Sequence, residues 1–122
     1  LKCTLAQELL KVHRSYRKEI EPRLKHVKGL AHITGGGFYD NLRRILPPDC
    51  SAIIQKNTWQ PLPVFRLIQK LGSVPDEEMY RVFNMGIGMC VIIDKRKLRY
   101  FKPIKPKIIG EIVKGDFGVK VE

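Results

Sequence analysis

The stretch GLAHITGGGF, residues 29–38, sets the order of elements from which the rest of the fold is predicted. Its first six residues form a short, largely apolar run typical of a β-strand, and the glycines that follow interrupt that run. Apolar residues then recur at helical spacing, at Phe38, Leu42, Ile45 and Leu46. The stretch therefore predicts a strand, a glycine turn and a helix, in that order.

The glycine turn, residues 35–37, is also the first candidate for a binding site. Glycines leave the backbone amides unshielded, and the start of a helix adds the positive end of its dipole, so the main chain alone can hold a phosphate there. Thr34 adds a hydroxyl and His32 adds an imidazole. The turn matches neither the P-loop nor the dinucleotide-binding glycine pattern. A tight strand-to-helix turn without a ligand is the alternative.

The segment before this stretch predicts one amphipathic helix. Its apolar residues recur every three or four positions, at Leu5, Leu9, Val12, Tyr16 and Ile20. Thr4 and Gln7 can form a capping box at the start, and Pro22 is expected to bend or end the helix. We expect this basic helix to pack one face on a sheet. A helix that binds a membrane surface or a partner is the alternative.

Strands and helices alternate after the glycine turn. A buried strand is predicted over residues 51–55, and a helix over residues 64–71, with Gly72 suited to a left-handed helix end. Ser73 as a capping residue and Pro75, followed by three acids, predict the start of another helix.

A glycine-punctuated run follows at residues 84–88. Residues 89–93 after it are continuously apolar and predict an interior strand with both faces covered. Gly86 and Gly88 are predicted to alternate on one face of a strand and to open space for a ligand or for a crossing helix, of which the helix is favoured. Asn84 can contribute an amide nearby.

The last third of the chain is basic and then strand-like. Residues 95–107 hold seven basic residues, no acids and two prolines, which predicts an exposed connection with about one turn of helix at residues 98–101. Residues 108–113 and 118–121 flank a turn and predict an antiparallel hairpin. The class predicted overall is α+β, with helices covering a mixed β-sheet.

Length and composition limit the possible classes of protein. The 122 residues suffice for one core, so residues 1–122 are predicted to be a single domain. The formal net charge of +11 attracts phosphates, nucleic acid or an acidic partner. No apolar run approaches the roughly 18–20 residues of a membrane span, and no secretory signal is recognised. With three cysteines in no CxxC pair, we expect a soluble, cytoplasmic protein with reduced thiols and no membrane partner.

Residues that commonly carry catalysis or bind metals form no recognisable set. His13, His26 and His32 are separated by 13 and 6 positions, which is not the helical spacing of a metal-binding pair. The sequence contains no GxSxG elbow and no cysteine with a recognisable base. We therefore predict no metal site and assign no catalytic residue.

Four motifs, in this order, closely resemble one enzyme family. They are AHITGGG at residues 31–37, VF at 64–65, EEMYRVFNMGIGM at 77–89 and IGEI at 109–112. Together they resemble the carboxy-terminal domain of the phosphoribosylformylglycinamidine cyclo-ligases, also called aminoimidazole ribonucleotide (AIR) synthetases. The resemblance is dense over residues 28–93, weaker before them, and resumes at residue 107.

The resemblance implies an activity and a division of labour. Enzymes of this family convert formylglycinamidine ribonucleotide to aminoimidazole ribonucleotide in purine biosynthesis, at the expense of ATP. Their ATP and magnesium are held mainly by an amino-terminal domain, none of whose segments occurs in these 122 residues. The resemblance therefore implies that this chain needs that domain as a partner, binds no cofactor by itself and is inactive alone.

The resemblance also implies which residues face the ribonucleotide substrate. The expected phosphate or substrate contacts are His32, Thr34, Gly35, Gly36 and Gly37. The expected cleft-lining residues are Asn84, Gly86 and Gly88.

One segment departs from the family pattern. The family has a full helix where this chain has only residues 95–107, so that helix is expected to be shortened or missing. A function of another class remains as the alternative, a basic module that binds RNA or another polyanion on the same fold. Nucleic acid is the less favoured partner, because few aromatic residues interleave with the basic ones and no RNA-binding motif occurs.

Overall fold

The computed structural model describes residues 2–122 and has the predicted α+β architecture, with helices packed on two small sheets. Its α-helices are α1 (Leu5–Leu9), α2 (Arg17–Ile20), α3 (Gly37–Arg43), α4 (Pro63–Gly72) and α5 (Asp76–Val82). Its strands are β1 (Val27–His32), β2 (Cys50–Ile54), β3 (Met89–Ile93), β4 (Gly110–Lys114) and β5 (Gly118–Val121). Short 3₁₀ helices lie at Glu21–His26, Lys56–Thr58, Lys95–Tyr100 and Lys102–Ile104.

The strands form two separate sheets. Strands β1 and β3 pair antiparallel, with Ala31 opposite Cys90. The second sheet has the order β4-β2-β5, in which β2 runs antiparallel to β4 and parallel to β5. The prediction of a mixed sheet is confirmed for this second sheet.

The predicted hairpin between β4 and β5 is wrong, because β2 lies between the two strands. The connecting turn bonds to the start of β2 instead of closing on itself. The Gly115 N–H donates to the Asp49 carbonyl at 2.9 Å, and the Ser51 hydroxyl donates to the Asp116 carbonyl. Strand β2 is the more buried partner, with Ala52 fully covered, so a central position lets it pair on both edges.

The single long helix predicted over the first twenty residues is also wrong. The capping box of Thr4 and Gln7 is present, but α1 ends at Leu9 and an irregular segment, residues 11–16, separates it from α2. Val12 is 96% exposed, and no residue of α1 is buried. Since short helices depend on packing of an apolar face, an unpacked segment has little to keep it helical.

The core joins buried residues of both sheets with those of α3 and α5, and α4 packs partly buried residues against it. Its largest fully buried side chains are Ile33, Phe38, Leu42 and Met79. Trp59 is buried beside Phe38, and its indole N–H donates to the Met85 carbonyl at 3.0 Å. The glycine turn, which leads into α3, lies between the buried residues Ile33 and Phe38 and so at the edge of this core.

Two predicted helix boundaries differ in detail. The residue with left-handed backbone after α4 is Ser73, with φ of 50°, and not Gly72. Ser73 consequently caps the end of α4, while Pro75 occupies the N-cap position of α5 without a side-chain hydrogen bond. The acids predicted for the first turn of α5 are there, at 76–78.

Strand β3 is less enclosed than its composition predicts. Within residues 2–122 it pairs only with β1, and Cys90 is its one buried residue. The basic connection that follows is confirmed as largely exposed. It contains the 3₁₀ helices Lys95–Tyr100 and Lys102–Ile104 and no longer helix, and it is anchored by the buried Phe101.

Candidate functional site

The three glycines of the candidate phosphate loop have different backbones and surroundings. Gly36 and Gly37 have φ of 96° and 55°, values that favour glycine strongly over other residues. Gly37 is buried, and a Cβ added to it would overlap the Tyr80 carbonyl of α5. Gly35 is exposed, and a Cβ added to it would meet no atom within 4 Å. Gly37 thus serves packing, whereas Gly35 faces open space.

The backbone N–H groups of these three glycines also differ in their hydrogen bonds. The Gly37 N–H donates to the Thr34 carbonyl at 3.0 Å. The N–H groups of Gly35 and Gly36 donate to no backbone or side-chain acceptor within residues 2–122. Two of the three amides are therefore free to donate to an anion, and the third closes the turn.

Asn41, which the sequence reading missed, holds the loop in shape. It is only 7% exposed, and its amide Nδ2 donates to the Gly37 carbonyl at 2.8 Å and, at 3.4 Å, to the carbonyls of Thr34 and Gly35. The Thr34 hydroxyl donates to Asn41 Oδ1 at 3.3 Å. The available signal was a polar residue on the same helical face as Phe38 and Leu42, where an apolar residue is usual.

The charges beside the loop are mixed. Asp40 projects from the first turn of α3, and its carboxylate lies within 3 Å of the place where a Cβ on Gly36 would stand. This carboxylate works against an anion over Gly36. One turn further on, Arg43 and Arg44 line a shallow surface concavity of about 460 Å³ together with Asp40, and the Arg43 guanidinium lies 5.0 Å from the centre of the Phe117 ring.

His32 and Gly88 lie together at one end of the β1–β3 sheet. The Ile33 N–H donates to the Gly88 carbonyl at 2.9 Å, which joins the end of β1 to the residue before β3. The Tyr16 hydroxyl occupies the position that a Cβ on Gly88 would need. The exposed His32 ring contacts His13, with 3.1 Å between the two Nε2 atoms. Residues 13–16 therefore cover this end of the sheet.

Asn84 and Gly86 belong to a turn, so the prediction that Gly86 and Gly88 alternate on one strand face is wrong. Asn84 Oδ1 accepts the Gly86 N–H at 2.9 Å, and Met85 and Gly86 both have positive φ, 52° and 93°. A Cβ on Gly86 would approach Leu62, whereas Gly88 lies under Tyr16. The side-chain amide of Asn84 shapes this turn.

The remaining titratable groups show no catalytic arrangement. Burial raises the pKa of the Cys90 thiol to about 12, and burial likewise raises the pKa of Cys50. No three His, Cys, Asp or Glu residues in the described range 2–122 are grouped so that they could hold a metal ion together. Over the same range, no helix has the length and apolarity required to cross a membrane.

The comparisons with known proteins place the chain in a family. The family described as "AIR synthase related protein, C-terminal domain" matches residues 2–122. The chain belongs to this family, and the resemblance inferred from its motifs is confirmed.

Similar relatives carry one name, phosphoribosylformylglycinamidine cyclo-ligase. The chain is 45% identical to the cyclo-ligase of Caldicellulosiruptor saccharolyticus, over 98% of this chain and 37% of that protein. It is 46% identical to that of Enterococcus faecalis, over 90% of this chain and 33% of that protein. It is 47% identical to that of Caldanaerobacter subterraneus subsp. tengcongensis, over 95% of this chain and 37% of that protein.

The chain thus spans about a third of the length of these relatives. The relatives' names support the cyclo-ligase interpretation, and none of these matches supports the RNA-binding alternative.

Proposed function

We propose that this chain is the substrate-side part of an ATP-dependent cyclo-ligase, which converts formylglycinamidine ribonucleotide to aminoimidazole ribonucleotide in purine biosynthesis. The family match over residues 2–122 and the printed names of the relatives support this assignment. The chain's share of those relatives, about a third, supports a role as one part of a larger catalyst.

The observation that carries the proposal is the pair of free amides at Gly35 and Gly36. Two N–H donors on this loop can hold a phosphate oxygen through the main chain alone, with the Asp40 carboxylate beside Gly36. In this proposal they bind the 5′-phosphate of the ribonucleotide, whose approach the net charge of +11 favours and the Asp40 carboxylate opposes locally.

The other predicted site residues take supporting parts. Thr34 shapes the loop through its bond to Asn41, and Gly37 gives α5 its close approach. His32, Asn84, Gly86 and Gly88 are proposed to border the cleft. For Gly88 this requires residues 13–16 to lie along the cleft wall, since Tyr16 covers it.

ATP and magnesium are proposed to be bound mainly by the amino-terminal part of the enzyme. In the family reaction, ATP activates the formyl oxygen that leaves when the ring closes. Residues 2–122 contain no group of three suitable side chains for a metal ion, so magnesium does not fit this chain by itself. What this chain supplies in the proposal is binding and orientation of the ribonucleotide, which itself carries both the activated formyl oxygen and the nitrogen that closes the ring.

Ring closure by a chimaera tests the proposal. The chain replaces the matching segment of the Caldicellulosiruptor saccharolyticus cyclo-ligase, and ATP-dependent formation of aminoimidazole ribonucleotide is measured. We expect activity from the chimaera and none from the isolated chain. A folded but inactive chimaera, or turnover by the chain alone, would contradict the proposed division of labour.

Two matched variants of the chimaera locate the site. Gly35→Val places a side chain over the free amides and is expected to raise the KM for the ribonucleotide. Gly115→Val is the control, because Gly115 also lies in an exposed turn with room for a Cβ, at 3.7 Å from Ser51 Oγ, and its N–H is bonded to Asp49. Equal KM values for the two variants would remove the loop from the substrate site.

A further inference from the structure

His13 and His32 lie 19 positions apart in the chain, yet their imidazole rings meet. His32 ends β1, and His13 belongs to the irregular segment 11–16 that crosses the same end of the sheet. Their Nε2 atoms are 3.1 Å apart, their ring centres are 5.0 Å apart, and the ring planes are nearly perpendicular. The described chain has one other histidine, His26, which stacks on Tyr100 instead.

This geometry suits a shared metal ion. Late divalent transition metals bind imidazole nitrogen at about 2.0–2.1 Å, so two nitrogens 3.1 Å apart can both be ligands of one ion. Both rings are exposed, which leaves the other coordination positions open to water. Nitrogen ligands favour Zn²⁺, Ni²⁺ or Cu²⁺ over Mg²⁺, which prefers oxygen.

We propose that His13 and His32 form a two-histidine site for a late divalent transition metal ion. The bound ion ties the segment 11–16 to the end of β1 and so holds Tyr16 over Gly88. The two rings are separate from the free amides of Gly35 and Gly36, and the metal site goes beyond the proposed function, which places His32 at the border of the cleft and assigns no ion to it. It differs from the sequence prediction of no metal site because the fold joins residues that sequence spacing separates.

Calorimetric titration of the untagged 122-residue chain with Ni²⁺ tests this site. We expect one ion to bind per chain. Loss of an outer-shell partner typically weakens metal binding about 10–100-fold, and loss of a ligand costs at least as much, so His13→Ala and His32→Ala should each weaken binding about tenfold or more. His26→Ala is the matched control and should bind Ni²⁺ as the parent chain does.

Amide hydrogen exchange gives a second measurement that does not depend on heat of binding. Saturating Ni²⁺ should slow exchange in residues 11–16 of the parent chain and of His26→Ala, but not of His13→Ala. If the parent chain and all three variants bind Ni²⁺ equally, or if none binds, the contact is only a hydrogen bond between two imidazoles and the proposal is wrong. Phosphate binding at the Gly35 and Gly36 amides is measured separately on the parent chain without Ni²⁺, so a failure of the metal site and a failure of the proposed function are distinguishable.

Discussion

Gly35, Gly36 and Gly37 show how three identical residues acquire three different roles. Gly37 lies against the backbone of α5, Gly36 has a left-handed backbone next to Asp40, and Gly35 faces open space. Substitutions along the loop should therefore separate folding from binding. From the sequence alone, Gly36→Val is the natural test of anion binding. The structure shifts that test to Gly35, because a side chain at Gly36 strains the backbone before it meets any ligand.

The effects of Gly37→Ala and Gly35→Ala on stability should differ widely. Left-handed strain and overlap with the Tyr80 carbonyl should make Gly37→Ala cost about 3 kcal/mol or more of unfolding free energy. Gly35→Ala should stay within about 0.5 kcal/mol of the parent chain, because its Cβ contacts nothing. Urea denaturation measures both values. Similar losses for the two variants would mean that the loop is not packed as described.

The burial of Cys90 predicts the direction in which the free energy of unfolding changes with pH. Burial raises the pKa of its thiol from an ordinary 9.0 to about 12, so the folded protein binds that proton more tightly than the unfolded chain. The resulting stabilisation is complete below pH 9 and is lost as the pH rises from about 9 to 12. Unfolding free energy should fall over that range, and Cys90→Ala should reduce the fall. An identical fall in the parent chain and in Cys90→Ala would contradict the burial of this thiol.

At the scale of the elements, the sequence predicts which helices and strands form better than it predicts which strands pair. The order strand, glycine turn, helix followed from residues 29–38, because apolar period and glycine position are local properties. The pairing of β4 and β5 did not, since a turn-like sequence between two strands is compatible both with a hairpin and with a third strand between them. Only the burial of β2 decides between these arrangements.

The strand order can be checked by amide-to-amide NOE contacts in solution. We expect contacts between β2 and β5 in parallel register, with Ala52 opposite Val119, and between β2 and β4 in antiparallel register, with Ala52 opposite Ile112. Contacts that join β4 directly to β5 would restore the hairpin and contradict the fold described for this sheet.

The first twenty residues show a second limit of sequence reading. The helical period of Leu5, Leu9 and Val12 is present, but a period yields a helix only where its apolar face is covered. In residues 2–122 nothing covers Val12, and the chain runs instead across the end of β1. The contacts of His13 and Tyr16 with His32 and Gly88 are products of that path, and no local pattern predicts them.

At the scale of the whole molecule, the candidate site is built by several distant segments. The motifs singled out the glycine loop and residues 84–88 as separate features, and residues 84–88 contain a turn instead of the predicted strand. Sequence reading could not tell which amides are free, because that depends on Asn41 and on the packing of α5 against Gly37. The chain belongs to a family whose listed relatives are about three times as long, and under the proposed function its net charge of +11 favours the approach of a phosphorylated substrate.

Amide ¹⁵N–¹H chemical shifts of the glycine loop, followed during titration with ribose 5-phosphate, test this account most directly. We predict saturable shifts at Gly35 and Gly36 and little change at Gly115, whose N–H is already bonded to the Asp49 carbonyl. Gly35→Val should abolish the shift at Gly36 while the rest of the spectrum keeps its dispersion. Shifts spread evenly over the basic surface, with none specific to Gly35 and Gly36, would contradict a phosphate site at this loop.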